Sequence, residues 1–431
     1  MMEMTTIHPA FDLLNGMTPE EFCSGIPTPA YIIDETGIQK NGEKLASVIR
    51  HTGCKILLAQ KAFSNYDFYP LLSQYLSGTE ASGLFEARLG AEKMPGKEVH
   101  VFSAAYRADE FDELLQYADH IVFNSPGQLI TYGQKAKDCG KSIGLRINPQ
   151  CSTQEGHEIY DPCAPGSRLG TTREIWDLQM TEKLIDLLDG LHFHTLCEQN
   201  ADALQQTWEA VEKRFGDILP RMKWINMGGG HHITRGDYDV ELLEKIITGV
   251  QNKWNVEVYL EPGEAVALNA GYLACRVLDI VRNGRYRIAI LDASAACHMP
   301  DVIEMPYMPP LYGATEAEKK AETEKETERK TAAETETETE SDAEGADREH
   351  CFLLSGPTCL AGDVIGSYCF AQDLQIGDLL LFGDMAIYTT CKNNTFNGMP
   401  LPDIWRKNLQ GELEKLTAFS YSDFLMRLGK L

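Results

Sequence analysis

Residues 55–61 read Lys-Ile-Leu-Leu-Ala-Gln-Lys, an apolar run that starts on one lysine and closes on another. A short apolar run bounded by polar residues suits a buried strand, and Lys61 falls where such a strand would meet its loop. Seven similar runs follow: GTEAS (78–82, the weakest), VHVFSA from Val99, HIVFNS from His120, IGLRIN from Ile143, GLHFHT from Gly190, KWINMG from Lys223 and VEVYLE from Val256. The stretches between them behave as amphipathic helices. ADALQQTWEAVEKRF, for example, sets Leu204, Trp208, Val211 and Phe215 on one stripe. Alternating strands and helices imply parallel strands joined by crossovers, and eight such units fit a closed (β/α)8 TIM-type barrel. From Leu273 the pattern changes to successive strand-like runs (YRIAILDAS, CFLLSG, DLLLFGDMAIYTT), which read as a C-terminal β-domain. The expected organisation is an N-terminal extension over 1–27 packing with the β-domain, a barrel over 28–268 and the β-domain over 269–431.

The β-domain is interrupted at 315–349, where fourteen acidic and six basic residues accompany repeated threonine and almost nothing apolar. Such a segment cannot bury enough surface to offset its ordering entropy, so a disordered surface insertion with no catalytic part is expected. The whole chain of 431 residues carries a formal net charge of −25, which argues against a nucleic-acid partner and suits a cationic small molecule. No apolar run approaches the ~20 residues of a membrane span, and the first 27 residues lack the pattern of a secretory signal. A cytoplasmic protein is expected. Twelve cysteines, scattered singly, form neither a zinc pattern nor a dense disulfide framework; reduced thiols are expected, one of them catalytic.

In a barrel of this type, reactive groups sit at the C-terminal ends of the strands. Those positions hold Lys61, Glu80, Arg146, His194, the triplet Gly228-Gly229-Gly230, and Glu261. A triple glycine after a strand lets backbone N–H groups close around an anion, with the next helix N-terminus adding positive potential. An amine for covalent attachment, a phosphate cradle and an acid able to face a ring nitrogen together specify pyridoxal 5'-phosphate. Glu261, in LEPGEA, suits the last role, and His194 suits stacking on the ring. The rival reading takes His192 and His194 as an H-x-H metal pair, as in barrel hydrolases, but it leaves Lys61 and the glycines without a task. His231, His232 and His298 are expected to face solvent or pack.

The motifs TPAYIID, LLAQKAFS, EASGLFEARLG, GLHFHTLCE, WINMGGGHHI, LEPGEAV, CHMPDVIEMPY, SGPTCLAGDVIG and FGDMAIYTTCKNNTFNG run in order from about Thr28 to about Arg406. This set resembles the fold-type-III pyridoxal-phosphate decarboxylases of the alanine racemase and ornithine decarboxylase class. It is most similar to the group acting on carboxynorspermidine and carboxyspermidine in polyamine biosynthesis. The resemblance implies Lys61 as the lysine that carries the cofactor, His194 on the ring, Gly228, Gly229 and Gly230 at the phosphate, Glu261 at the ring nitrogen and Tyr388 near the phosphate. It implies Cys359 as the acid that returns a proton to the substrate carbon, supplied by the partner subunit of a homodimer with shared sites.

Where the ornithine and diaminopimelate relatives have E-P-G-R and H-x-G-S, this chain has Glu261-Pro262-Gly263-Glu264 and His194-Thr195-Leu196-Cys197. Glutamate in place of arginine favours a cationic substrate over diaminopimelate. Glu264 and Asp301, and less strongly Asp363, resemble the substrate-amine ligands. Another basic amino-acid decarboxylase (ornithine, arginine or diaminopimelate) or an amino-acid racemase is the nearer alternative.

Overall fold

The computed structural model describes residues 8–154, 161–316 and 350–430. Eight parallel strands close into a barrel: β2 (Lys55–Ala59), β3 (Gly78–Ala81), β4 (Glu98–Phe102), β5 (His120–Phe123), β6 (Ser142–Arg146), β7 (Gly190–His192), β8 (Trp224–Asn226) and β9 (Glu257–Leu260). They are the eight strands that the apolar runs predict. β2 closes the ring by pairing with β9, Lys55 opposite Tyr259. Inside the barrel, Leu57, Val122, Trp224 and Tyr259 form a small apolar plug. The Trp224 ring lies so close to β7 that a Cβ on Gly190 would fall 2.1 Å from it, so glycine is what lets the indole fill the interior. The main core lies outside, between the strands and the crossover helices. The helix Ala201–Phe215 buries Leu204, Trp208, Val211 and Phe215 there, and Val240–Trp254 buries Leu243, Ile247 and Val250.

The second layer is a mixed sheet built from β10 (Gly271–Asn283), β11 (Tyr286–Leu291), β12 (Ala314–Glu316), β13 (Cys351–Ser355), β14 (Val364–Phe370), β15 (Leu379–Gly383), β16 (Asp403–Lys407) and β17 (Leu413–Thr417). It also contains β1 (Ala30–Asp34), antiparallel to β10 and parallel to β16. This differs from a barrel beginning at residue 28. All five residues of β1 are buried, so its pattern cannot tell one buried sheet from another, and its partners lie far along the chain. The segments Pro9–Leu14 and Pro19–Phe22 insert Phe11, Leu14 and Phe22 against Tyr272 and Leu381 of the sheet.

Two further expectations change. Cys351 and Cys369 sit opposite each other on β13 and β14 and form a disulfide, so these two cysteines are not free thiols; a separation of 18 residues gives no sequence clue to a cross-strand pair. Thr315 and Glu316, placed within the acidic insertion, complete β12 by pairing with Cys369 and Tyr368 of β14. The rest of the insertion, expected to be disordered, lies outside the described residues. Among the described residues, no helix is long and apolar enough to cross a membrane.

Candidate active site

The C-terminal ends of the barrel strands converge on a cavity of about 270 Å³ lined by Lys61, Glu80, Arg146, His192, His194 and Glu261. Lys61 follows β2 directly, and the backbone of Gln60 is fixed by donating to the Glu80 carbonyl at 3.1 Å. Among the described residues the Lys61 ammonium is in no ion pair, which leaves its amine for another partner.

Glu261 is set at the far side of the cavity by two donors. Asn226 Nδ2 donates to Oε1 at 2.6 Å and His192 Nε2 to Oε2 at 3.1 Å. Burial alone would raise the Glu261 pKa, but the histidine and the amide outweigh it and hold the carboxyl below its ordinary value. Glu80 goes the other way, raised by burial and then by the Glu261 charge. Two neighbouring buried acids are thus pushed in opposite directions, a separation characteristic of functional sites.

His194 is held as a neutral ring. The Gly229 N–H donates to its Nδ1 at 3.2 Å, so that nitrogen carries no proton. Burial, with Lys61 and Arg146 nearby, keeps the pKa of His194 well below the ordinary histidine value. Arg146 donates to the His194 carbonyl at 3.1 Å and lies 4.5 Å from the Phe102 ring centroid. His192 stacks on Phe102 and turns its Nε2 to Glu261. Among the described residues, neither His192 nor His194 belongs to a group of three metal-capable side chains.

The glycine triplet follows β8, with Asn226 Oδ1 accepting the Gly228 N–H at 2.9 Å. A Cβ on Gly229 would fall 2.4 Å from the Glu261 carbonyl oxygen and one on Gly230 2.1 Å from that of Leu196, so only glycine fits the turn. The expected helix N-terminus is not beside the triplet. The next helix starts at Val240, where Asp239 caps it, and the Gly228 and Gly229 N–H groups are taken by Asn226 and His194, which leaves the Gly230 N–H for an anion.

The sheet domain adds Tyr388, whose backbone N–H donates to the Ala62 carbonyl at 2.9 Å beside the lysine turn. Burial and several nearby acids keep its hydroxyl protonated. Glu264 receives His232 Nε2 at 2.7 Å, and Asp301 pairs with Lys392; the Asp301 carboxyl is raised by burial and feels Glu264 among its neighbours. Two sequence candidates lie elsewhere. Cys359 is exposed on the turn between β13 and β14, its thiol on Asn397 Oδ1 at 2.8 Å. Asp363, only 2% exposed, accepts from the hydroxyls of Ser294 and Thr358 and from the Ala296 N–H. Three donors, on both oxygens, hold that carboxylate in place. It braces the turn bearing Cys359, which corrects its assignment as a substrate ligand.

Known proteins can be set beside this geometry. The family described as "Pyridoxal-dependent decarboxylase, C-terminal sheet domain" matches residues 30–386. The chain belongs to the pyridoxal-dependent decarboxylases. It is 41% identical to the carboxynorspermidine/carboxyspermidine decarboxylase of Campylobacter jejuni, over 94% of this chain and all of that protein. It is 35% identical to the carboxyaminopropylagmatine decarboxylase of a Synechocystis species, over 94% of this chain and 96% of the relative. A crystal structure of carboxynorspermidine decarboxylase from C. jejuni, complexed with norspermidine, superposes with a TM-score of 0.79 at 40% identity, covering 93% of this chain and all of that one. The cavity of this decarboxylase fits its cofactor: an unpaired lysine, an ionised buried glutamate, a neutral histidine and a turn that admits no side chain.

Sequence reasoning missed Asn226, which orients both Glu261 and Gly228, and the pairing of His232 with Glu264. A strand-end asparagine carries no distinguishing pattern. The HH dipeptide was visible but had no partner until folding brought LEPGEA alongside.

Proposed function

We propose that this enzyme removes the α-carboxylate of carboxynorspermidine or carboxyspermidine, releasing norspermidine or spermidine, as a cytoplasmic homodimer with shared active sites. The observation that carries this reading is the acidic rim, where Glu264 stands at the place of the arginine in the E-P-G-R motif of the ornithine and diaminopimelate enzymes and neighbours Asp301. A substrate with a distal carboxylate would be repelled there, and one with distal ammonium groups attracted. A guanidinium-ended substrate is the second reading, favoured by the carboxylate pair of Glu264 and Glu198, which suits a planar, forked donor.

Pyridoxal phosphate, when bound, supplies an electron sink for the bond to the departing carboxylate. The chain's own residues make that sink effective. Lys61 would hold the cofactor covalently and yield it to the substrate amine. Glu261, kept ionised by Asn226 and His192, would meet the ring nitrogen as a carboxylate. His194, neutral and fixed by the Gly229 N–H, would lie on the ring without adding a positive charge. The Gly230 N–H, which the turn leaves without a partner among the described residues, would face the phosphate, with Gly228 and Gly229 shaping the turn through Asn226 and His194 and Tyr388 near it. Cys359, on an exposed turn braced by Asp363, would enter the neighbouring subunit's cavity and protonate the carbon that loses CO2.

The test is to incubate the holoenzyme with carboxynorspermidine, carboxyspermidine, carboxyaminopropylagmatine, ornithine and diaminopimelate, measuring CO2 and identifying each amine. Preference for ornithine or diaminopimelate would overturn the reading. The shared site has its own check: inactive Lys61→Ala and Cys359→Ala subunits, mixed and allowed to exchange, should recover about a quarter of the sites. No recovery after verified exchange would place Cys359 outside the chemistry.

A further inference from the structure

Next to the cavity, at the loop that follows β7, Glu198 adopts a left-handed backbone conformation, φ 53°, which costs free energy for a residue with a side chain. The conformation is held from both sides. Arg235 donates to the Glu198 carbonyl at 3.1 Å, Gln199 N–H donates to the Gly230 carbonyl at 2.9 Å, and His232 N–H donates to the Gln199 carbonyl at 3.3 Å. The loops after β7 and β8 are thus stitched together, and the result is a close triad: donor atoms of Glu198, His232 and Glu264 all lie within 4.8 Å of one another.

The charge of this triad is unbalanced. His232 is 7% exposed, uses Nε2 on Glu264 and leaves Nδ1 without a partner. It offsets one carboxylate at most. The surrounding groups add more negative charge than positive. From the barrel come Cys197 and Arg235, and the Arg235 side chain is spent on Asp237 and on the Glu198 carbonyl. From the sheet domain come Asp301, already paired with Lys392, together with Tyr307 and the half-buried Asp384. The protonation is consistent with this imbalance: Glu198 is exposed, yet the neighbouring Glu264, with Asp384 behind it, pushes its carboxyl up to about 7, and Asp384 is itself pushed up to about 6. Two carboxylates forced together beside a single imidazole form a receptor for a cation.

We propose that Glu198 is a specificity-determining residue of this enzyme: with Glu264 positioned by His232, it receives the terminal cationic group of the substrate and selects chains long enough to reach it. This rests on the polyamine reading above. It adds the residue that measures length and a positioning residue that acts through Glu264. Binding of the cation relieves the repulsion between the two glutamates, so Glu198 gives up the proton it partly holds near neutral pH.

The experiment is calorimetry of norspermidine and 1,3-diaminopropane binding to the holoenzyme at pH 7, in two buffers of different ionisation enthalpy, for wild type, Glu198→Gln and Glu198→Asp. Norspermidine affinity should fall about tenfold in Glu198→Gln, the effect of losing one charge-assisted hydrogen bond, and recover partly in Glu198→Asp, while diaminopropane binding is unchanged. Proton release on norspermidine binding should be present in wild type and absent in Glu198→Gln. On the carboxylated triamine, the Glu198→Gln loss should fall on KM with kcat held within about twofold. His232→Gln should raise KM for the triamine and shift its pH profile. Unchanged norspermidine affinity in Glu198→Gln, equal losses for both amines, or a wild type that binds no norspermidine would each overturn the inference. So would a triad that takes up Zn2+ in a Glu198-dependent way that norspermidine does not displace. Norspermidine binding with the predicted Glu198 dependence, but no turnover of carboxylated triamines, would sink the proposed activity and leave the subsite standing.

Discussion

The two ends of the barrel carry similar side chains and treat them in opposite ways. At the N-terminal end, Lys55 lies between Glu98 and Glu257, Tyr259 donates to Glu257 at 2.6 Å, and His100 bonds Glu98 at 3.1 Å. Burial acts to raise the Glu98 carboxyl, but His100 and Lys55 outweigh it and bring it down to about 2. Both of these glutamates have a cation. At the C-terminal end, Glu80, Glu198 and Asp384 are all pushed upward, by burial or by one another. The floor is electrostatically complete and the mouth is not, which is the physical content of the rule that function sits at the top of such barrels and stability at the bottom. The floor also shows why grouping alone does not make a metal site. Glu98, His100 and His120 bring donor atoms within 4.8 Å, but the imidazoles are stacked at 3.9 Å with planes 12° apart, so their in-plane lone pairs run side by side and do not converge on one ion.

If the mouth is tuned for chemistry, its variants should lose activity and keep stability. The largest effect belongs to Lys61→Ala, which removes the amine that carries the cofactor. Turnover should fall to background and the visible absorbance of the bound cofactor should vanish, while the far-UV spectrum stays unchanged. A Lys61→Ala enzyme with full activity would falsify the cofactor assignment. Next come Glu264→Gln and Asp301→Asn, each expected to lower kcat/KM on the carboxylated triamine by roughly one to two decades, the worth of a charge-assisted hydrogen bond of about 1.5–3 kcal/mol. Glu264→Gln should not lower the melting midpoint, because it also removes a repulsion. Wild-type kcat/KM in both variants would return these acids to the role of ordinary rim charges.

The floor should show the reverse. Glu98→Gln leaves Lys55 and His100 without their shared anion and should cost about 1–2 kcal/mol of stability, the lower part of the charged range because Lys55 and Glu98 are partly exposed. The melting midpoint should fall while kcat/KM is untouched. A variant of equal stability and lower activity would erase the distinction between the two ends.

How much of this was legible beforehand depends on whether a residue's position follows from its own strand. Lys61, His194 and Glu261 each close a strand that announces itself by apolar residues, so the barrel and the heart of its cavity can be read directly. Glu198 and His232 cannot, because a left-handed turn and bonds between two loops place them, and neither has a period. Asp363 has the residue type of an amine ligand, but in the folded chain the hydroxyls of Ser294 and Thr358 occupy it, and no pattern in the sequence joins those residues. β1 has the same apolar signature as a barrel strand and belongs to the sheet, since pairing with β16 is decided by chain ends that sequence alone does not bring together.

The smallest expected effect is the pH dependence of stability, and here the two kinds of site pull against each other. Burial depresses His120 to about 3 and His231 and His298 to about 4, from an ordinary 6.5. Each is held neutral, so its contribution is complete above pH 6.5 and is lost as pH falls toward the folded-state value. Glu98 acts in the same direction lower down, fully stabilising above about 4.5 and losing that as pH falls toward 2. The mouth acids have the opposite sign. Glu198, raised from 4.5 to about 7, and Asp384, raised from 3.8 to about 6, cost stability as pH climbs through those ranges. Denaturant titrations across pH 4.5–8 should therefore show stability rising from acid and then flattening toward neutral. Glu198→Gln should remove part of the flattening, so that its advantage over wild type is absent at pH 4.5 and greatest near pH 8. A difference that is constant across this range would mean that the proton on Glu198 is not linked to folding, and the mouth would then owe its shape to the bonds between its loops alone.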